Sequence, residues 1–189
     1  MKAPSRSLLW LFAFLVLLVG SSCGRAAQER PDKRAIFTTV YVVRHAEKDL
    51  TPNLPDPLLT PAGQARAQAL HDSLRRKPLT AVFSTATTRT RTTAAPLAEA
   101  LKLPIQDYDA KQLQTLVHRI RSGYPGQQVL VVGHSNTILE TVEAFGAPRP
   151  VPTIGDDEYD YLLEVRVPRD SMVAATAVAR RYGQGTVAR

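Results

Sequence analysis

Residues 36–43, IFTTVYVV, run almost without interruption through β-branched and aromatic side chains, and residues 128–132, QVLVV, repeat the pattern. A strand without a polar face needs cover on both sides. A mostly parallel sheet between two helical layers provides that cover, and a solvent-facing antiparallel sheet does not. Helical segments separate these runs. Thr60 offers a cap, Pro61 suits a first helical position, and 62–76 has the length and composition of a helix, with Ala62, Ala65, Ala69, Leu70 and Leu74 as its apolar set. A second strand is predicted over 79–83. The Thr- and Arg-rich segment behind it opens a helix to about Leu101, which Pro96 kinks or tightens, and Ile105 begins a brief third strand. Asp109 and Gln112 form a capping pair ahead of a helix in which Leu113, Leu116, Val117 and Ile120 share one face. After 128–132 a helix is expected over 136–145, then two late strands over 161–167 and 172–179 joined by a turn at 168–171. The expected fold is an α/β, three-layer α-β-α sandwich whose mostly parallel sheet ends in a hairpin-like edge. No G-x-G-x-x-G follows the first strand, which argues against a dinucleotide fold.

The termini lie outside that pattern. Lys2 and Arg6 precede an apolar run over 8–19 and the small residues Gly20, Ser21 and Ser22, the layout of a secretory signal peptide in residues 1–22. Twelve apolar residues are short for a spanning helix, which needs roughly 20. Cys23 stands where a lipoprotein signal places its acylated cysteine, and that resemblance implies an exported protein anchored by lipid on Cys23 and facing the periplasm or cell exterior. The alternatives are ordinary cleavage to a soluble product, a free thiol at Cys23, and an uncleaved N-terminal anchor. Residues 23–35 are polar and aperiodic, a tether; the folded domain is expected over 36–181, with 182–189 as a fraying tail.

Charge and cysteine usage exclude several classes. A net charge of +7 favours anionic partners, but the basic residues are scattered and one Trp offers little stacking, so no nucleic-acid partner is expected. A single cysteine excludes an internal disulfide framework. The sequence carries no signal for an oligomeric state.

Polar residues gather where the predicted strands end. Arg44-His45 follows the first, Ser84-Thr85 and Arg89 the second, and Gly133-His134-Ser135 the fourth. The carboxyl ends of strands line the crevice of an open α/β sheet, so residues about 90 apart in sequence can share one pocket. His71 and His118 fall within predicted helices and read as ordinary surface histidines.

The stretches YVVRHAEK (41–48), FSTATTRTRTTAAPLA (83–98) and VLVVGHSN (129–136) resemble the histidine phosphatase superfamily, the phosphoglycerate mutase-like group. Arg44-His45-Ala46 is similar to its Arg-His-Gly opening, with Ala for Gly. Ser84, Arg89, Thr93 and Ala94 fit its S-x-x-x-x-R-x-x-x-T-A spacing, and His134 its Gly-His. The run Asp56-Pro57-x-Leu59-Thr60-x-x-Gly63 resembles the small single-domain branch. The resemblance implies that His45 is the phosphoryl-accepting nucleophile, surrounded by Arg44, Arg89 and His134, in a phosphatase that needs no metal or cofactor. The substrate would be a phosphorylated small molecule or a phosphoprotein. Arginine suits the task because its fixed donors match phosphoryl oxygens two at a time. The helix start beside His134 would add unpaired donors for an anion. Glu47 is the first candidate for the acid and Asp109 the second; Glu47 could instead hold an active-site arginine by a salt bridge. Arg91 is expected at the rim or surface. Without a lid insertion, the pocket is expected to be shallow and open. The other readings are a phosphotransferase or mutase, and a non-catalytic envelope lipoprotein that binds phosphorylated ligands.

Overall fold

Among the residues described by the computed structural model, 36–185, strands and helices alternate. The order is β1 (Phe37–Arg44), α1 (Pro61–Leu74), β2 (Leu79–Ser84), α2 (Thr88–Leu101), β3 (Ile105–Asp107), α3 (Leu113–Gly123), β4 (Gln128–Gly133), α4 (Ile138–Ala144), β5 (Tyr161–Pro168) and β6 (Thr176–Arg181). The signal, the tether and Cys23 fall on residues 1–35, outside the described residues.

The sheet runs β3-β2-β4-β1-β5-β6. Its first four strands are mutually parallel, and β5 and β6 add an antiparallel edge. The apolar run of β1 is divided between two cores, because alternate strand residues point to opposite faces. Tyr41 and Val43 join Leu70, Leu74 and Leu97 from α1 and α2. Val40 and Val42 join Leu116, Ile120, Ile138 and Val142 from α3 and α4. The chain is thus a three-layer α/β sandwich with a mostly parallel central sheet.

Several local expectations are corrected. α1 starts as predicted, with Thr60 Oγ1 accepting from Gly63 N at 3.1 Å and Pro61 in its first turn. Its buried face, however, is Gly63, Arg66, Ala67, Leu70 and Leu74, while Ala62 and Ala65 stay exposed and line a cavity. A charged residue displaces alanines from the inner face because Glu47 meets it there. Pro96 stands inside an uninterrupted α2. Asp109 caps no helix: its Oδ1 accepts from Lys111 N at 2.8 Å in a turn, and α3 starts only at Leu113. α4 spans seven residues instead of the ten expected, because Thr137 N and Ile138 N both bond to His134 O in a preceding turn. β6 begins at Thr176, since Asp170 organises a longer loop by accepting from Met172 N and Val173 N.

The chain also stays packed beyond 181. Tyr182 is buried, its amide bonds to Asp160 O at 2.9 Å, and Arg66 Nη1 donates to the carbonyls of Tyr182 (3.3 Å) and Gln184 (3.1 Å). Among the described residues, no helix is long and apolar enough to cross a membrane.

Candidate active site

Strand register brings the two histidines together. β1 and β4 are parallel neighbours with Arg44 opposite Gly133, so His45 and His134 leave the sheet side by side. His45 N donates to Gly133 O at 2.9 Å and ties the two strand ends. The imidazole centroids are 5.5 Å apart and inclined at 65°. β2 lies on the other side of β4, and the first turn of α2 behind it delivers Arg89. Arg44, His45, Glu47, Arg89 and His134 all line one cavity of about 1640 Å³. That is far more room than a phosphoryl group fills. The Gly183–Gly185 segment walls part of it, so the cavity is roomier than a chain without an insertion suggests.

His45 is held in one tautomer. Its Nδ1 lies 2.8 Å from the carbonyl oxygen of Ala46, and a carbonyl only accepts, so Nδ1 carries the hydrogen and Nε2 the lone pair. Burial, chiefly, pushes the His45 pKa down to about 3, with Arg44, His134 and Arg89 adding to the effect against the Ala46 bond. Burial and the same two arginines push His134 down to about 4. Both rings are therefore neutral at physiological pH.

Each arginine is held by a neighbouring loop. Arg44 is 5% exposed; its Nη1 donates to the carbonyls of Asp156 (2.8 Å), Gly155 (3.1 Å) and Glu158 (3.3 Å), and its guanidinium lies 4.1 Å from the Tyr159 ring centroid. Carbonyls orient the guanidinium without neutralising it. Arg89 Nη1 approaches Asp56 Oδ1 at 3.4 Å, and the same carboxylate accepts from Thr88 N at 2.9 Å. The Nε atoms of Arg44 and Arg89 are buried and find no partner among the described residues.

The small-branch motif now has physical reasons. Asp56 caps α2 from 32 residues upstream and restrains Arg89. Leu59 packs with Ala46 and Ala67 under the nucleophile segment, and Thr60 caps α1. Gly63 lies so close to Glu47 that a Cβ there would be 2.1 Å from the Glu47 carbonyl oxygen. Thr93 Oγ1 accepts from Ala46 N at 2.9 Å and donates to Arg89 O at 2.7 Å, bridging the two motif segments.

Other residues fall elsewhere. The Glu47 carboxylate receives Arg66 Nε at 2.8 and 2.9 Å and Arg66 Nη2 at 2.7 Å. Arg66 is the arginine it holds, and that residue was not singled out from sequence. Arg91 pairs with Asp107 and lies outside the main cavity. Asp109 lines a smaller neighbouring cavity of about 470 Å³ with Thr85, Tyr108 and one side of His134. At the expected helix-start anion site, His134 N donates to Thr137 Oγ1 at 3.2 Å and the amides of Thr137 and Ile138 bond to His134 O, while Ser135 and Asn136 line the cavity. Tyr159, 8% exposed and 6.1 Å from the His45 ring, was missed, as were Asp156 and Asp157 on the cavity wall.

Comparison with known proteins agrees with this fold. Residues 40–110 match the model of the histidine phosphatase superfamily (branch 1). No curated protein matches the sequence. Among solved structures, YhfR of Bacillus stearothermophilus is similar at 17% identity and a TM-score of 0.58, over 80% of this chain and 98% of that one. The mycobacterial glucosyl-3-phosphoglycerate phosphatase in complex with VO3 is similar at 13% identity and a TM-score of 0.59, over 78% and 99%. At these identities the likeness is one of fold, and the fold is that of the histidine phosphatases.

Proposed function

We propose that this chain, a hydrolase with the fold of the histidine phosphatase superfamily and that family's match over residues 40–110, cleaves phosphate monoesters through a phosphohistidine on His45. The observation that carries the reading is the His45 tautomer: with Nδ1–H bonded to Ala46 O, the Nε2 lone pair is the ring's nucleophile. A neutral imidazole can attack in line, and the pKa of about 3 keeps it neutral. Nε2 forms a bond to phosphorus as the ester oxygen leaves and takes up a proton from solvent water; a second water then displaces the imidazole and releases inorganic phosphate. Arg44, Arg89 and His134 surround the charge that spreads over three equatorial oxygens during transfer. The VO3 complex of the mycobacterial relative, and its complex with inorganic phosphate, support an oxyanion site on this fold.

Glu47 takes the structural one of its two roles, because both oxygens of its carboxylate accept from Arg66. The substrate is a phosphorylated small molecule or a phosphoprotein presented outside the cytoplasm. Export and a lipid tether on Cys23 are supported by the basic n-region, the apolar run over 8–19 and the small residues before Cys23. Mass spectrometry of protein from native membranes is expected to find acylated Cys23 and no peptides from 1–22.

The decisive experiment is rapid acid-free quenching with a labelled phosphate ester, followed by peptide mapping. Label on His45, lost with nearly all activity in His45→Ala, is the expected result. Turnover that survives His45→Ala without label there overturns the reading. Arg89→Ala keeps the nucleophile but loses about 2.7–4 kcal/mol of transition-state stabilisation, read as kcat.

A further inference from the structure

The loop that holds Arg44 is itself held by one carboxylate. Carbonyls of Gly155, Asp156 and Glu158 converge on Arg44 Nη1 at 3.1, 2.8 and 3.3 Å. Carbonyls so close in sequence meet one nitrogen only where the chain turns back on itself. Glu158 closes that turn twice: its backbone N donates to Gly155 O at 3.1 Å, and its Oε2 accepts from Gly155 N at 2.8 Å. The other oxygen, Oε1, accepts from Arg181 Nη2 on β6 at 2.8 Å. Arg181 is fixed in turn, with its guanidinium 3.5 Å from the Tyr161 ring centroid and its Nη1 paired with the buried Asp160 carboxylate. The direction of each bond is settled by the groups themselves, since amide and guanidinium nitrogens only donate and an ionised carboxylate only accepts. The Gly155 amide and Arg181 hold the Glu158 carboxyl below its usual range, so it is an anion at neutral pH. The loop carbonyls occupy Nη1 of Arg44, and its remaining N–H groups are left for an oxyanion in the cavity that it lines.

We infer that Glu158 is a positioning residue for the phosphoryl site: by bridging Gly155 to Arg181 it folds the 155–158 loop so that the loop carbonyls hold Arg44 with its remaining donors toward the phosphoryl oxygens. The inference rests on the phosphatase reading above. Glu158 itself does not line the cavity, and it acts through the loop alone. Donors fixed in place before the reaction need no reorganisation as charge develops, which is where their stabilising effect comes from. Carbonyls supply that fixity and leave the guanidinium its full charge. Asp156 and Asp157 stand on the same wall. A loop released from Glu158 is free to bring one of their carboxylates onto Arg44, which would turn the guanidinium and neutralise it.

Two measurements test the inference. In proton–nitrogen NMR of the wild-type protein, the Nη groups of Arg44 are expected to give separate signals, because the loop carbonyls stop the guanidinium from rotating; in Glu158→Ala the signals should average. Averaged signals in the wild type, or separate ones in Glu158→Ala, overturn the inference. The second measurement is a double-mutant cycle read as kcat/KM on an aryl phosphate. Glu158→Ala is expected to lose roughly tenfold in the wild-type background, the effect of one hydrogen bond to a charged group. In Arg44→Ala, where no guanidinium is left to position, the same substitution should lose less than about twofold. Equal losses in both backgrounds would make Glu158 a structural residue of the loop and overturn the inference, as would no loss in either. Should Glu158→Ala not fold, Glu158→Gln, which keeps the shape and removes the charge, takes its place in both measurements. A wild-type protein that hydrolyses no aryl phosphate, with the Arg44 signals still separate, would instead sink the phosphatase reading itself.

Discussion

Burying two neutral imidazoles has a cost that pH exposes. The unfolded chain protonates His45 near pH 6.5, whereas the folded chain resists down to about 3. Between those values the unfolded state binds more protons, so this part of the stability is complete above about pH 6.5 and is lost as pH falls toward 3. For His45 the loss is on the order of 4 kcal/mol, and His134, with its pKa near 4, adds to it. Urea midpoints at about pH 7 and about pH 4.5 should therefore fall further in the wild type than in His45→Gln; equal falls would mean that His45 is not held neutral. A second prediction separates the roles of Glu47. As the partner of Arg66, which is only 6% exposed at its side chain, it leaves an uncompensated buried cation when replaced by Ala. The expected loss is about 3 kcal/mol, the low end for a buried pair because Glu47 is itself 21% exposed. Glu47→Gln should slow aryl and alkyl phosphates by the same factor. Selective loss on the alkyl ester, which has the poorer leaving group, would make Glu47 the acid.

At the scale of elements, the site depends on how α1 lies against the segment after His45. The Glu47 carbonyl accepts from Thr60 N at 3.0 Å and presses on Gly63, where a side chain would drive α1 away. Gly63→Ala should cost about 1–3 kcal/mol and lower kcat as the His45–Glu47 segment shifts. Among the described residues nothing lies within 4 Å of the point a Cβ would occupy on Gly123, at the end of α3, so Gly123→Ala should be neutral or stabilise by up to about 1 kcal/mol. Thermal melts of the two variants provide the check, and equal effects would contradict the close approach. Asp56 works at the same scale. One carboxylate in a Pro-rich loop caps α2 and restrains Arg89, so the loop helps to set the geometry of the cavity.

For the whole molecule, the net charge of +7 is a poor guide to what the cavity accepts. Once Arg44 and Arg89 engage a phosphoryl group and Glu47 neutralises Arg66, the charged side chains left on the cavity wall among the described residues are Lys48 against Asp49, Asp156 and Asp157. The leaving group then meets a negative surface. Phosphocholine, or a neutral aryl phosphate, should be preferred over 3-phosphoglycerate in kcat/KM by roughly tenfold, and Asp156→Asn with Asp157→Asn should narrow the gap. A preference for 3-phosphoglycerate that survives the double substitution would count against that surface. Arg66 extends the site in another direction: by holding Tyr182 and Gln184, it makes the end of the chain a wall of the cavity.

The layers, the strand order along the chain and the residues gathered at the strand ends were readable in the sequence, because they follow from local periodicity and short motifs. The runs at 36–43 and 128–132 have no polar face, and burial in a parallel sheet answers both. Boundaries set by a single turn were less legible: the delayed start of α4 depends on amides that close on His134 O, and the delayed start of β6 on the Asp170 loop. The rest was decided by partners distant in sequence, which no local pattern encodes. Arg66 reads as one more polar helix residue until Glu47, 19 positions earlier, meets it on the buried face. The 182–185 segment looks like a loose end until that same arginine binds its carbonyls from more than 110 positions away. Thr85 is one threonine in a threonine-rich run, and only the adjacency of β2 and β4 in the sheet puts His134 within 3.0 Å of its hydroxyl. Chemistry that needs a particular residue type leaves a trace in the sequence, whereas the orientation of that residue is set by contacts that exist only after the sheet has formed.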